Sequence, residues 1–136
     1  MKLTFKNAIA AIILVLAFAA PVAAGPLEDT FVALGNGDYA TAFPQFRSLA
    51  EQGNATAQNI LGDMYAGGTG VPQSFAEAAK WRRLAANQGL ANAQFQLGFM
   101  YFIGQGVPQD YAETVKWYRL AADQGVPTAQ LGLGAM

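Results

Sequence analysis

Two hydrophobic patterns divide the chain. Ala8 to Ala20 is an uninterrupted apolar run, whereas from Leu27 onward apolar residues fall at helical spacing between stretches of Gly, Pro, Asn and Asp. Ala93, Leu97, Met100 and Tyr101 share one face of a helix that starts at Ala91 and reaches Phe102, and Ala55 to Tyr65 reads the same way. A second helix follows each. Ser74-Phe75-Ala76-Glu77 is a capping box, and Asp110-Tyr111-Ala112-Glu113 is its acidic counterpart. The bodies of these helices carry Trp81, Leu84 and Ala85, then Trp117, Leu120 and Ala121, and Gly89 and Gly125 stand where a left-handed C-terminal cap is required. Pro127 suits the first position of a further helix. That places caps at Asn54, Leu90 and Val126, of which only Asn54 has a capping side chain. Gly62, Gly98 and Gly134 recur inside the first helix of each pair, at a cost of ~1 kcal/mol against alanine. They predict close approach of another helix backbone.

The pattern is a repeat. Residues 55–90 laid over 91–126 without a gap give 22 identities in 36 positions, and a third copy begins as PTAQLGLGAM at 127–136. Such self-similarity is the mark of a solenoid, in which each unit buries its apolar face only by stacking on its neighbours. Upstream, Asp38-Tyr39-Ala40 matches Ser74-Phe75-Ala76, and Glu51-Gln52-Gly53 matches Asn87-Gln88-Gly89 at the same step. Residues 25–54 therefore read as a degenerate first unit with a short helix near Leu27 to Leu34. Pro44 is expected to kink its second helix or delay the start. Gly-Val-Pro-Gln, at Gly70 and again at Gly106, is read as the connection between the two helices of a unit.

The run LGxMYxxGxGVPQ, followed by Ala-Glu and KWxRLAAxQG, resembles the Sel-one-like repeat, a cousin of the tetratricopeptide repeat. The matching residues are Leu61, Gly62, Tyr65, Gly68, Gly70, Val71, Pro72, Ala76, Trp81, Ala85, Ala86 and Gly89, and their counterparts 36 positions later. The resemblance implies an all-α fold, an α-solenoid of antiparallel helix pairs in a right-handed superhelical stack. It also implies a non-catalytic adaptor that binds a protein or peptide partner and needs no cofactor. Bacterial members are often exported.

The amino terminus agrees with export. Lys2 and Lys6 precede the apolar run, and Pro21-Val22-Ala23-Ala24-Gly25 follows it. This is the layout of a signal peptide at residues 1–24, cut after Ala24, and it predicts a periplasmic or secreted protein. The run is short of the ~20 apolar residues of a spanning helix. Removing it leaves 112 residues with 6 basic and 9 acidic side chains, a net charge of −3. That balance predicts no nucleic-acid partner and no membrane association after cleavage. The chain has no cysteine, so its stability must come from packing.

Candidate chemistry is sparse. The sequence holds no histidine and no cysteine, which removes the commonest nucleophile–base pairs and most zinc sites. Ser74 reads as a cap, Ser48 has no neighbouring base, and Glu77 and Glu113 read as capping residues. Gly68-Thr69-Gly70 is not followed by a lysine at phosphate-loop spacing. No catalytic, cofactor-binding or metal residue is predicted. Trp81 and Trp117 read as core, and Arg82-Arg83 as a solvated face. The copies differ where Asn59, Asp63 and Ala66 give way to Phe95, Phe99 and Phe102, on the side opposite Ala93 and Leu97. Two readings stay open: neighbouring helices cover these rings, or the rings form a groove with Tyr118, Asn59 and Asp63 nearby. The apolar stretch at 127–136 has no partner helix in the sequence, which predicts either a longer reading frame or self-association. The function expected is an exported interaction module. The alternatives are a self-assembling structural or regulatory subunit and a cell-wall-active hydrolase.

Overall fold

The computed structural model describes residues 25–136, and the leader assigned to 1–24 with its cut after Ala24 lies outside them. The described residues form seven α-helices and no strand: α1 Pro26–Gly35, α2 Tyr39–Glu51, α3 Ala55–Gly67, α4 Phe75–Asn87, α5 Ala91–Ile103, α6 Tyr111–Asp123 and α7 Pro127–Gly134. Each helix packs mainly on its neighbours in sequence, so the fold is an α-solenoid of helix pairs. None of the described helices is long and apolar enough to cross a membrane.

Local chemistry sets the helix ends. Asp38, Asn54, Ser74 and Asp110 each accept a hydrogen bond from a backbone N–H of the first turn that follows. Leu90 and Val126 cap without a side chain, as their types require. At the other ends Gly53, Gly89 and Gly125 take φ of +94°, +90° and +87°. Gly89 N–H then donates to Ala86 O at 3.0 Å and Leu90 N–H to Ala85 O at 3.2 Å, the paired bonds of a Schellman motif. The turn after Gly125 repeats both bonds.

Three expectations are corrected. The capping boxes are only half made: the Glu77 carboxylate turns to Lys80 at 2.8 Å, and that of Glu113 accepts from Trp117 Nε1 at 3.0 Å. The reason is the loop before each helix, which folds back so that Ser74 and Asp110 N–H donate to Tyr65 and Tyr101 carbonyls, both at 2.9 Å. No donor is left for the glutamate. Pro44 does not delay α2, which starts at Tyr39 directly after its cap. Pro44 and Ala40, whose carbonyl loses a donor to the proline, are both on the exposed side of the helix. The helical glycines meet mainly side chains rather than backbone. A Cβ on Gly62 would lie 2.8 Å from Arg82 Cγ, and one on Gly98 would lie 2.7 Å from Tyr118 Cδ1. Gly134 has nothing within 4 Å.

The core is a series of clusters along the stack. Ala42, Phe46 and Ala50 of α2 meet Ala57, Leu61 and Met64 of α3, with Trp81 against them. One unit on, Ala85 and Ala86 of α4 meet Ala93 and Leu97 of α5 and Trp117 of α6. Alanine on the second helix lets the next first helix approach, and a fully buried leucine fills each seam, contributing about 1.5–3 kcal/mol. Both tryptophans are thus in or against the core. Gly98→Ala is expected to lower stability by about 1–2 kcal/mol through overpacking against Tyr118 and Trp117. Gly134→Ala, with open space around it, is expected to leave stability unchanged or slightly raised. Paired thermal melts check the contrast.

Candidate functional site

The glycine in each first helix leaves a notch, and one long side chain from the second helix of the same unit fills it. In α4 that residue is Arg82; in α6 it is Tyr118, 36 positions later. The residues flanking the notch change with it. Asp63 pairs with Arg82 and Asn59 lies one turn earlier on the same helix, whereas Phe95 and Phe99 stand on α5, which carries the Tyr118 notch. The positions singled out from the sequence are therefore one three-residue site present twice, once polar and once aromatic, with Phe102 in addition.

In the polar version Arg82 Nη2 donates to Asp63 Oδ1 at 2.7 Å, and Gln96 Nε2 from α5 donates to the same oxygen at 3.1 Å. Arg82 Nη1 lies 3.4 Å from Met100 Sδ. The Arg82 side chain is only 12% exposed against 47% for Asp63. This corrects the reading of Arg82 as solvated, because the notch at Gly62 draws its stem inward. Arg83 does face solvent, against the ring and hydroxyl of Tyr101. Asn59 Oδ1, Arg82 Nε and Gln96 Oε1 are buried without partners, so the cluster leans on Asp63 to hold the guanidinium.

In the aromatic version Phe95 stacks on Tyr118 with centroids 5.2 Å apart and planes at 21°. Such a pair contributes about 0.5–1.5 kcal/mol beyond its burial. A Cβ on Gly132 of α7 would lie 2.6 Å from Tyr118 Cε2, so glycines on two helices make room for this ring. Burial pushes the Tyr118 phenol above its ordinary pKa. Phe95 and Tyr118 are thus core residues beneath α7, with Ala121 and Ala129. Phe99 and Phe102 are different, at 45% and 39% exposed. Their rings lie 6.5 Å apart, and Phe102 continues to Tyr111 at 5.7 Å. Phe102 and Tyr111, with Val115, Arg119, Leu133 and Met136, line an open cavity of about 600 Å³. Asn59 and Asp63 are not part of it.

Sequence reasoning missed the glutamines. Gln58 and Gln94 are each 4% exposed, and they donate to Ala50 O and Ala86 O of the preceding second helix at 3.1 and 3.2 Å. Gln88 and Gln124 then bridge, donating to Gln58 and Gln94 side-chain oxygens at 2.8 and 2.9 Å and to Gly53 O and Gly89 O. Gln73 and Gln109 donate to Ala66 O and Phe102 O, tying the connecting loop to the helix it leaves. The signal was the exact recurrence of AxAQ and QG, which periodicity alone does not separate from a solvated polar face. No group of three or more His, Cys, Asp or Glu among the described residues could hold a metal ion.

Asp63→Phe alone is expected to cost about 1–2 kcal/mol, because it strands the Arg82 guanidinium while the half-exposed carboxylate was partly screened. Combining it with Asn59→Phe and Arg82→Tyr, which recreates the aromatic set, is expected to recover most of that loss. Denaturant melts of the single and combined variants measure the coupling.

Known proteins fit this geometry. The Sel1 repeat family matches residues 55–90 and 91–126. No curated protein matches the chain. Among solved structures, a protective antigen present in uropathogenic Escherichia coli strains and displaying an SLR fold is 47% identical over 71% of this chain, with a TM-score of 0.70. A Sel1 repeat protein from Oxalobacter formigenes is 36% identical over 79%, with a TM-score of 0.75. The chain spans only 21% of the first and 44% of the second. Cysteine rich protein B of Helicobacter pylori shares the fold, at 18% identity over 84% of this chain and 98% of its own, with a TM-score of 0.64. With the family matched over both full units, the chain belongs to the Sel1 repeat family.

Proposed function

We propose that the chain is an exported, non-catalytic module that binds a protein or peptide partner through the aromatic strip Phe99–Phe102–Tyr111. Sel1 repeat proteins are generally protein–protein interaction modules, and the fold is typically a non-catalytic scaffold. The observation that carries the reading is the exposure of three neighbouring rings, while Phe95 and Tyr118 on the same two helices are packed against each other. Adjacent exposed rings on helices suit an apolar peptide or helix, with rigid aromatic area at low entropic cost. Arg119 beside them adds a charge that favours an acidic flank in the partner.

Residues 25–54 act in this reading as the first unit, 55–90 and 91–126 as the full units, and 127–136 as the opening of another. Export rests on the basic and apolar leader at residues 1–24, and amino-terminal sequencing of the processed protein should begin at Gly25.

A photoreactive residue at Phe99 should crosslink to a single partner in an extract of the producing cell. Phe99→Asp should abolish capture while leaving the thermal transition within about 0.5 kcal/mol of the wild type, as surface changes do. Loss of folding instead would show that the ring is structural, and the reading would fail. Unchanged capture would exclude the strip as the binding face.

A further inference from the structure

Charge is divided between the two helix layers of the stack. All six basic side chains of residues 25–136 lie on the second helices: Arg47 on α2, Lys80, Arg82 and Arg83 on α4, Lys116 and Arg119 on α6. The first helices α1, α3, α5 and α7 carry Glu28, Asp29 and Asp63 and no base. The second helices match most of their bases internally, with Arg47 on Glu51, Lys80 on Glu77 and Lys116 near Glu113. Only Arg82, among the described residues, pairs with a carboxylate of the other layer. The first-helix side therefore carries unbalanced negative charge, which favours a cationic ligand.

That charge has a defined geometry at Asp63. Asp63 and Phe99 hold the same position on successive first helices, and both are open to solvent. Gln96 donates to Asp63 Oδ1 from the turn of α5 that also bears Phe99, three residues on, so the carboxylate lies against that turn. Arg82 and Gln96 both end on Oδ1, and Oδ2 accepts no bond among the described residues. The neighbouring polar atoms are short of donors. Asn59 Oδ1 and Gln96 Oε1 are buried without one, against Arg82 Nε alone without an acceptor. Their partial charges add to that of the carboxylate.

We propose that Asp63 and Phe99 form an anchor site for one lysine or arginine side chain of a partner peptide. The ammonium or guanidinium donates to Asp63 Oδ2, and the Phe99 ring receives the cation on its face. Such heads are donors only, which suits a place where acceptors are in excess. Because Arg82 holds the other oxygen, the anchor gains from one oxygen and one ring, and its discrimination is modest. A carboxylate in the same position meets Asp63 and finds no free donor. The inference rests on the interaction-module reading and names the residue type taken at the Phe99 end of the strip.

Selection from a random peptide display library on the exported protein tests it. Retained peptides should be enriched in Lys or Arg beside apolar residues, and selection on Asp63→Asn should lose the enrichment. The asparagine keeps an oxygen for Arg82 and Gln96, and a thermal melt checks that the fold is retained. For a retained peptide, replacing its Arg by citrulline, or its Lys by norleucine, should weaken binding about tenfold. Asp63→Asn should weaken the parent peptide equally, and the two changes together should cost little more than either, since both remove one contact. Phe99→Leu, which keeps an apolar side chain without the ring, should weaken it about threefold. The peptide replacement uses the unaltered protein, so it decides even where Asp63→Asn fails to fold. Retained peptides without basic enrichment, or two losses that multiply in full, overturn the proposal and leave the interaction-module reading standing. A library from which no peptide is retained overturns both.

Discussion

The stack depends on one steric constraint: at each junction a loop glycine must lie flat against the first residue of the previous second helix. At Gly70 and Gly106 the backbone is in the left-handed region and the neighbouring main chain occupies the space of a Cβ. This sets how far apart successive units sit at one end of the seam. At the other end the buried glutamines Gln58 and Gln94 fix the distance by reaching the carbonyls of Ala50 and Ala86. A seam pinned at both ends leaves little freedom for the alanine and leucine contacts between. The apolar cluster then fills a space whose dimensions are already determined.

Within that frame the notch opposite the second helix is the place where units diverge. Gly62 and Gly98 create the same opening, and the occupant decides what surrounds it. An arginine calls for a carboxylate, hence Asp63, which Gln96 supports from the next unit. A tyrosine calls for rings, hence Phe95. The exchange of Asp63 and Arg82 for Phe99 and Tyr118 is therefore coordinated around one notch, while Phe99, Phe102, Ile103 and Tyr111 carry differences between the copies to the surface.

Much of this was legible in the sequence. The 36-residue step, the caps at Asn54, Ser74 and Asp110, and the left-handed glycines follow from local rules that tertiary packing did not override. The helix near Leu27 to Leu34 was recognised from two short matches and is found at Pro26–Gly35. What escaped has a common cause. Arg82 beside Arg83 looks like a charged face, and its burial shows only when Tyr118 is recognised as its counterpart. The glutamines are identical in both full units, so they carry no contrast by which a buried amide could be distinguished from an exposed one. The helical glycines were recognised as close-approach sites, but the nearest group is a side chain, with the α4 backbone next at Gly62 (Ala78 O, 3.3 Å) and only side chains at Gly98.

The locks between units are made of amides, carbonyls and glycine backbone, with no ionisable group among them. Salt screens charged groups, and these buried locks are neutral, whereas the charged contacts across the same boundary, Gln96 to Asp63 and Arg83 to Tyr101, lie at its exposed edge. Each added lock also brings no net charge, so a stack built on this junction grows in length without accumulating the self-repulsion that would otherwise limit it.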